Sequence, residues 1–276
     1  MTIESDLRSL NIDLPACPST LVRLSLLMAE EGTTTEQLAG VIENDMALSS
    51  AVVRTVNSAM FGLLKRVETV HDGIRYLGMA QVASLTYEIG LRGAFPPGPL
   101  MQTIWDKAGI RGLAMSRIAH QLDVDPWLAH TMGLFAESGR AVLIAYDHQR
   151  YSVVDKASSN ENQLAAAEIE AFGVSHSALG AAMCQSWGLS REVADGVRNR
   201  TQPQSTWAHE RPVVQRLLII GAAVDVLLLD AEKSAVPEAV WQTLAPLAAQ
   251  AGLNFEAFRL ATGRVCERLN LTQQQG

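Results

Sequence analysis

The chain has 276 residues, 48% hydrophobic and 18% charged, which excludes a disordered chain and suits one large domain or two small ones. Its formal charge is −7, from 22 basic and 29 acidic residues, the wrong sign for sequence-independent nucleic-acid binding. Three scattered cysteines, Cys17, Cys184 and Cys266, exclude a disulfide framework and fit a reducing compartment.

The first residues, Met-Thr-Ile-Glu-Ser-Asp, hold neither a basic nor an apolar leader region, so a cytoplasmic protein is expected. Thr33-x-x-Glu36 reads as a capping box for a helix burying Leu38, Val41 and Ile42. Asp45 is placed to cap the next helix, where Leu48, Ala51, Val52, Thr55, Val56 and Ala59 recur at the helical period. Beyond it, Asn57, Phe61 and Gly62 read either as a partner-binding edge or, the favoured reading, as Asn57 capping or turning the chain, Phe61 filling a core between lobes and Gly62 supplying a positive φ. His71-Asp72 is a literal His-Asp pair, but Asp72 falls in the first turn of a helix carrying Ile74, Leu77 and Gly78, where it favours the backbone dipole. Ala94-Phe-Pro-Pro-Gly-Pro99 cannot continue a helix and predicts the boundary between an N-terminal lobe, 1–98, and a C-terminal lobe, 99–276.

Helical periods return at Ile110, Leu113, Ala114 and Ile118, and again at Leu179, Ala182, Met183 and Trp187. Residues 152–162 and 201–212 read as polar loops, and Trp127 and Trp207 would be contact anchors if exposed. The apolar run Leu217 to Leu229 carries Asp225 and is too short to cross a bilayer, so a buried helix is expected. Pro237 to Leu271 reads as two more helices, with Trp241, Leu244 and Leu247, then Phe255, Phe258 and Leu269. With no alternating β-branched run and no Asn-Gly or Asp-Gly turn, the expected fold is an all-α, two-lobed helical bundle. Ser175, His176 and Ser177 are adjacent on one turn and point apart, so they predict a helix start capped by Ser175 and not a triad. His120, His130, His148 and His209 lack ligand spacing and read as packing or surface residues.

One ordered set of motifs is specific. Leu14-Pro-Ala-Cys-Pro18 leads to Ile42-Glu43-Asn44-Asp45 and Leu48, then Asn57-Ser58-Ala59-Met60-Phe61-Gly62 and Leu77-Gly78; Trp105, Gly133-Leu134-Phe135, Gly139-Arg140 and Trp187-Gly188-Leu189 follow. This pattern resembles the HDOD family, the metal-dependent-hydrolase-related output domain of bacterial signalling proteins. The resemblance implies an N-terminal helical lobe packed on one shaped like the HD phosphohydrolases, which hold metal with a His, a His-Asp doublet and a distant Asp. At the matching positions this chain has Lys107, Ala136-Glu137 and, downstream, Arg198, Asn199 and Arg200; only Asp225 stands for the last Asp. An ammonium, a guanidinium and a methyl group offer a metal no lone pair, so no metal, no cofactor and no catalysis are expected.

Two readings of those replacements follow. Lys107 can pair with Glu137 and Asp225 and replace the metal's charge. Alternatively, Lys107, Arg140, Arg198 and Arg200 form a cationic pocket for a phosphorylated molecule or nucleotide that is held and not hydrolysed. The function expected is a non-catalytic signalling module acting through protein partners, without direct contact to nucleic acid or membrane. A phosphate-binding sensor is the alternative, and a residual phosphohydrolase stands third.

Overall fold

The computed structural model describes residues 12–58, 61–229 and 235–273, with side chains as far as Glu267. Ala59, Met60 and the side chain of Leu269 lie outside the described residues. Within them the chain is all α-helical, with no strand, and no helix is long and apolar enough to cross a membrane. It divides into two compact units between Pro96 and Pro97, inside the proline-rich segment. The break falls two residues before the expected one, and residues 12–14 group with the larger unit.

The smaller unit comprises α1 (Ser19–Ala29), α2 (Thr35–Glu43), α3 (Met46–Val56), α4 (Val70–Leu77) and α5 (Met79–Gly93). The capping box of α2 lies one residue later than expected: Thr34 accepts from Gln37 N while the Gln37 side chain accepts from Thr34 N. Thr33 instead donates to Leu27 O at 2.6 Å, closing the end of α1. Asp45 accepts from Leu48 N and starts α3. Asn57 ends that helix and ties down the loop after it. Its Nδ2 donates to Val53 O and Val67 O, and its Oδ1 accepts from Val67 N, all within 2.9 Å. Phe61 is half-buried, and its N–H donates to Ser58 O. Gly62 (φ +57) and Gly78 (φ +86) both take positive φ; Gly78 ends α4 and begins α5, a corner strained for any L side chain. His71-Asp72 belongs to the start of α4, where Thr69 caps and its hydroxyl donates to the Asp72 carboxylate.

The larger unit comprises α6 (Pro99–Gln121), α7 (Pro126–Phe135), α8 (Ser138–Tyr146), α9 (His148–Ala157), α10 (Glu161–Phe172), α11 (His176–Ser186), α12 (Arg191–Asn199), a 3-10 turn (Gln204–His209), α13 (Pro212–Leu229), α14 (Glu238–Gln250) and α15 (Phe255–Gln273). Most of the expected loop from 152 is helix: α9 runs to Ala157 because Asp147 caps it, and Asn160 restarts the chain as the cap of α10. Helix α13 is the central apolar rod, with Leu217, Leu218, Ile219 and Ile220 no more than 1% exposed. Trp127 and Trp207 are buried and are not contact anchors; Trp207 Nε1 donates to Asn199 O at 3.0 Å. Trp241 packs edge-on against Phe255 and Phe258, joining α14 to α15. Two glycines set close crossings. A Cβ on Gly133 would lie 2.8 Å from Gly112 Cα, and one on Gly139 would lie 1.9 Å from the carbonyl oxygen of His176. The second brings α8 against the start of α11.

Candidate functional site

Six charged side chains of the larger unit close into a ring of alternating sign. Arg111 on α6 donates through Nη1 to Glu137 Oε1 and through Nε to Asp225 Oδ1 at 2.7 Å. Glu137 Oε2 lies 3.3 Å from Arg140 Nη1, and Arg140 Nη2 donates to Glu161 Oε1 at 2.7 Å. Arg200 Nη1 donates to Glu161 Oε2 at 3.3 Å, and its Nη2 lies 3.8 Å from Asp225 Oδ2, completing the circuit. The ring joins α6, the α7–α8 junction, α8, the first turn of α10, the end of α12 and the middle of α13.

A second shell leans on Glu161. His176, fully buried, donates from Nδ1 to Glu168 Oε2 at 2.6 Å, while its Nε2 lies 3.3 Å from Glu161 Oε2 and 3.1 Å from Arg200 Nη1. The His176 backbone N–H also donates to Glu168, and Tyr151 OH donates to the other Glu168 oxygen at 3.1 Å.

The proton positions follow from these contacts. Burial alone would push the Glu137 carboxyl up, but the guanidiniums of Arg140 and Arg111 override it and hold it below the usual carboxylate range. Glu161 is likewise held low against its burial by Arg200, His176 and Arg140. Burial would discharge His176, yet the two carboxylates beside its nitrogens raise its pKa instead. An imidazolium there also balances the charge, since three guanidiniums and one imidazolium face the carboxylates of Glu137, Glu161, Glu168 and Asp225.

Glu137, Arg140, Arg200 and Asp225, all singled out in the sequence, are thus brought together. Lys107 and Arg198 are not. Lys107 is half-buried one turn before Arg111 on the same helix face, and the cation that pairs with Glu137 and Asp225 is Arg111. Arg198 lies near Cys184. Arg140 and Arg200 are engaged by carboxylates, so they do not form the expected free cationic pocket. Sequence reasoning missed Arg111, Glu161, Glu168 and the paired state of His176. A polar residue inside the apolar period of α6 was the one available signal for Arg111.

The donor set does not fit a metal ion. Both Glu137 oxygens face guanidiniums, Ala136 contributes nothing, and among the described residues no three His, Cys, Asp or Glu side chains are arranged to hold one.

Beside the ring lies a cavity of about 340 Å³, whose lining includes Arg111, Asp225 and Arg200 together with Met115, Met132 and Leu218.

Comparison with known proteins agrees with the fold. A protein of Geobacter sulfurreducens described as an HDOD domain protein has a similar structure, with a TM-score of 0.74 at 18% identity, over 99% of this chain and 94% of that one. A signal transduction protein of Marinobacter aquaeolei VT8 has a TM-score of 0.73 at 21% identity, over 99% of this chain and 64% of its own. A Shewanella amazonensis SB2B protein described as a phosphohydrolase has a TM-score of 0.70 at 20% identity, over 96% and 98%. A curated relative, an uncharacterised protein of Treponema pallidum (strain Nichols), is 23% identical over 199 residues, and the match spans 67% of this chain but only 37% of that protein's length. The HDOD domain pattern matches residues 14–203, so the chain belongs to the HDOD family.

Proposed function

We propose that this HDOD chain is a non-catalytic regulatory module that passes a signal through contacts with other proteins. The observation that carries the reading is the closed guanidinium–carboxylate ring, which takes in Glu137, Arg200 and Asp225 from the positions where the resemblance implies metal ligands. Each oxygen that could bind a metal faces a fixed positive charge at 2.7 to 3.8 Å or closer. A divalent cation there would have to displace guanidiniums that cannot deprotonate. The names of the structural relatives point two ways, to signal transduction and to phosphohydrolysis, and the donor set favours the first. Val22 and Leu26, one turn apart on α1, leave apolar side chains in solvent, the kind of surface a protein partner covers.

The anionic-sensor alternative is less well supported, because the guanidiniums that a phosphate needs are already bonded. Hydrolysis assays of the metal-stripped protein test the reading, with phosphomonoesters and phosphodiesters and added Mn²⁺, Fe²⁺ or Ni²⁺. The expected result is no turnover above the metal-only blank. Turnover that disappears in Glu137→Gln would contradict it.

A further inference from the structure

The cavity beside the ring has a carboxylate, not an arginine, as its most exposed charged group. At about 340 Å³ it sits at the lower end of small-molecule pockets, which span about 300–1,000 Å³. On its charged wall the guanidiniums are turned inward: the Arg111 side chain is 3% exposed and that of Arg200 is 6% exposed. Asp225 is the accessible group, at 29%. Arg111 Nε holds its Oδ1 at 2.7 Å, whereas Oδ2 has only Arg200 Nη2 at 3.8 Å and keeps lone pairs for a donor. An anion entering would meet this carboxylate first and would have to displace it to reach either arginine. A cationic N–H donor meets an acceptor at once. Met115, Met132 and Leu218 add adaptable apolar surface to the lining.

We propose that this cavity binds a small molecule bearing a positively charged N–H donor head, an amidinium, guanidinium or ammonium, seated on Asp225 Oδ2 with an apolar body against Met115, Met132 and Leu218. The proposal rests on the metal-free reading of the ring, since a metal would claim the same carboxylate. It turns the expected phosphate preference around, because the exposed charge and not the arginine count decides which ion enters.

The test is a set of thermal melts and calorimetric titrations on the metal-stripped full chain at fixed ionic strength. The probes are benzamidine, benzoate and phenyl phosphate. Benzamidine is expected to raise the melting temperature saturably, whereas benzoate and phenyl phosphate leave it unchanged. Asp225→Asn should weaken benzamidine binding at least tenfold. Because that change also takes a partner from Arg111, Ala222→Leu provides a second variant: it fills the cavity from α13 without removing any charged member of the ring, and it should abolish binding. No benzamidine response at millimolar concentration, a response to phenyl phosphate instead, or benzamidine binding that survives Ala222→Leu would each overturn the proposal. Parallel melts with Mn²⁺ and Zn²⁺ separate the two readings, since a metal-dependent rise sinks the non-catalytic account whatever benzamidine does.

Discussion

Arg111 and Glu137 meet with side chains 3% and 0% exposed, where a charge without its partner is costly. Removing one side of such a buried pair typically costs about 3–5 kcal/mol, whereas replacing both by apolar groups is often neutral. Arg111→Met is therefore expected to lower unfolding stability by about 3–5 kcal/mol in urea melts, and Arg111→Met with Glu137→Met to cost less than the sum of the two single changes, the remainder coming from Asp225 and Arg140, which each lose a partner; a purely additive double variant would refute the pairing. Two buried histidines set opposite pH limbs. His130 sits among apolar groups, where burial lowers its pKa to about 3, so it stays neutral in the fold and takes a proton when unfolded. Its contribution is complete above the ordinary value of about 6.5 and is lost as pH falls below it, by about 1.4 kcal/mol per unit. His176 has a raised value, so its contribution is complete below about 6.5 and is lost as pH rises through the folded value. Stability should peak near pH 6.5 and fall by about 2 kcal/mol by pH 5. His130→Asn should flatten the acid limb alone, and a monotonic profile between pH 5 and 9 would contradict these assignments.

Among the elements, the contact of α8 with α11 depends on a missing side chain. A methyl on Gly139 would lie 1.9 Å from a backbone carbonyl, which no rotamer change relieves. Gly139→Ala is expected to cost about 3 kcal/mol, the upper end for overpacking, by chemical denaturation. It should also disturb His176, visible as a shifted imidazole resonance; a neutral effect would mean that the crossing can open freely. In the smaller unit Asn57 makes three hydrogen bonds to backbone, so Asn57→Ala should cost about 2–3 kcal/mol at about 1 kcal/mol each. Caps and periods such as Asp45, Ser175 and the α13 run were legible because each is decided within a turn or two of local chemistry. The capping box slipped by one residue because Thr33 and Thr34 carry the same hydroxyl, and only the partner found by each tells them apart. Likewise Lys107 and Arg111 share a helix face, and the turn that meets Glu137 is decided by how α6 packs on α7.

For the molecule as a whole, the ring was the least legible feature. Its members stand at 111, 137, 140, 161, 200 and 225, and only Glu137 and Arg140 are neighbours on one helix. The family resemblance could imply that metal ligands were replaced, but whether the residues at those positions lay free or paired depends on packing across six segments. That packing converts what read as a cationic pocket into a neutralised, interlocked cluster whose exposed edge is Asp225 and Glu161. In the proposed reading this cluster is complete without a metal. Its most direct test is the thermal unfolding of the metal-stripped chain with and without saturating Mn²⁺, Fe²⁺ or Zn²⁺. A ligand at 100 times its dissociation constant adds about 2.7 kcal/mol, roughly 5–10 °C at this size. The account predicts no shift with any of the three. A saturable rise that Glu137→Gln removes would contradict it and restore a metal centre.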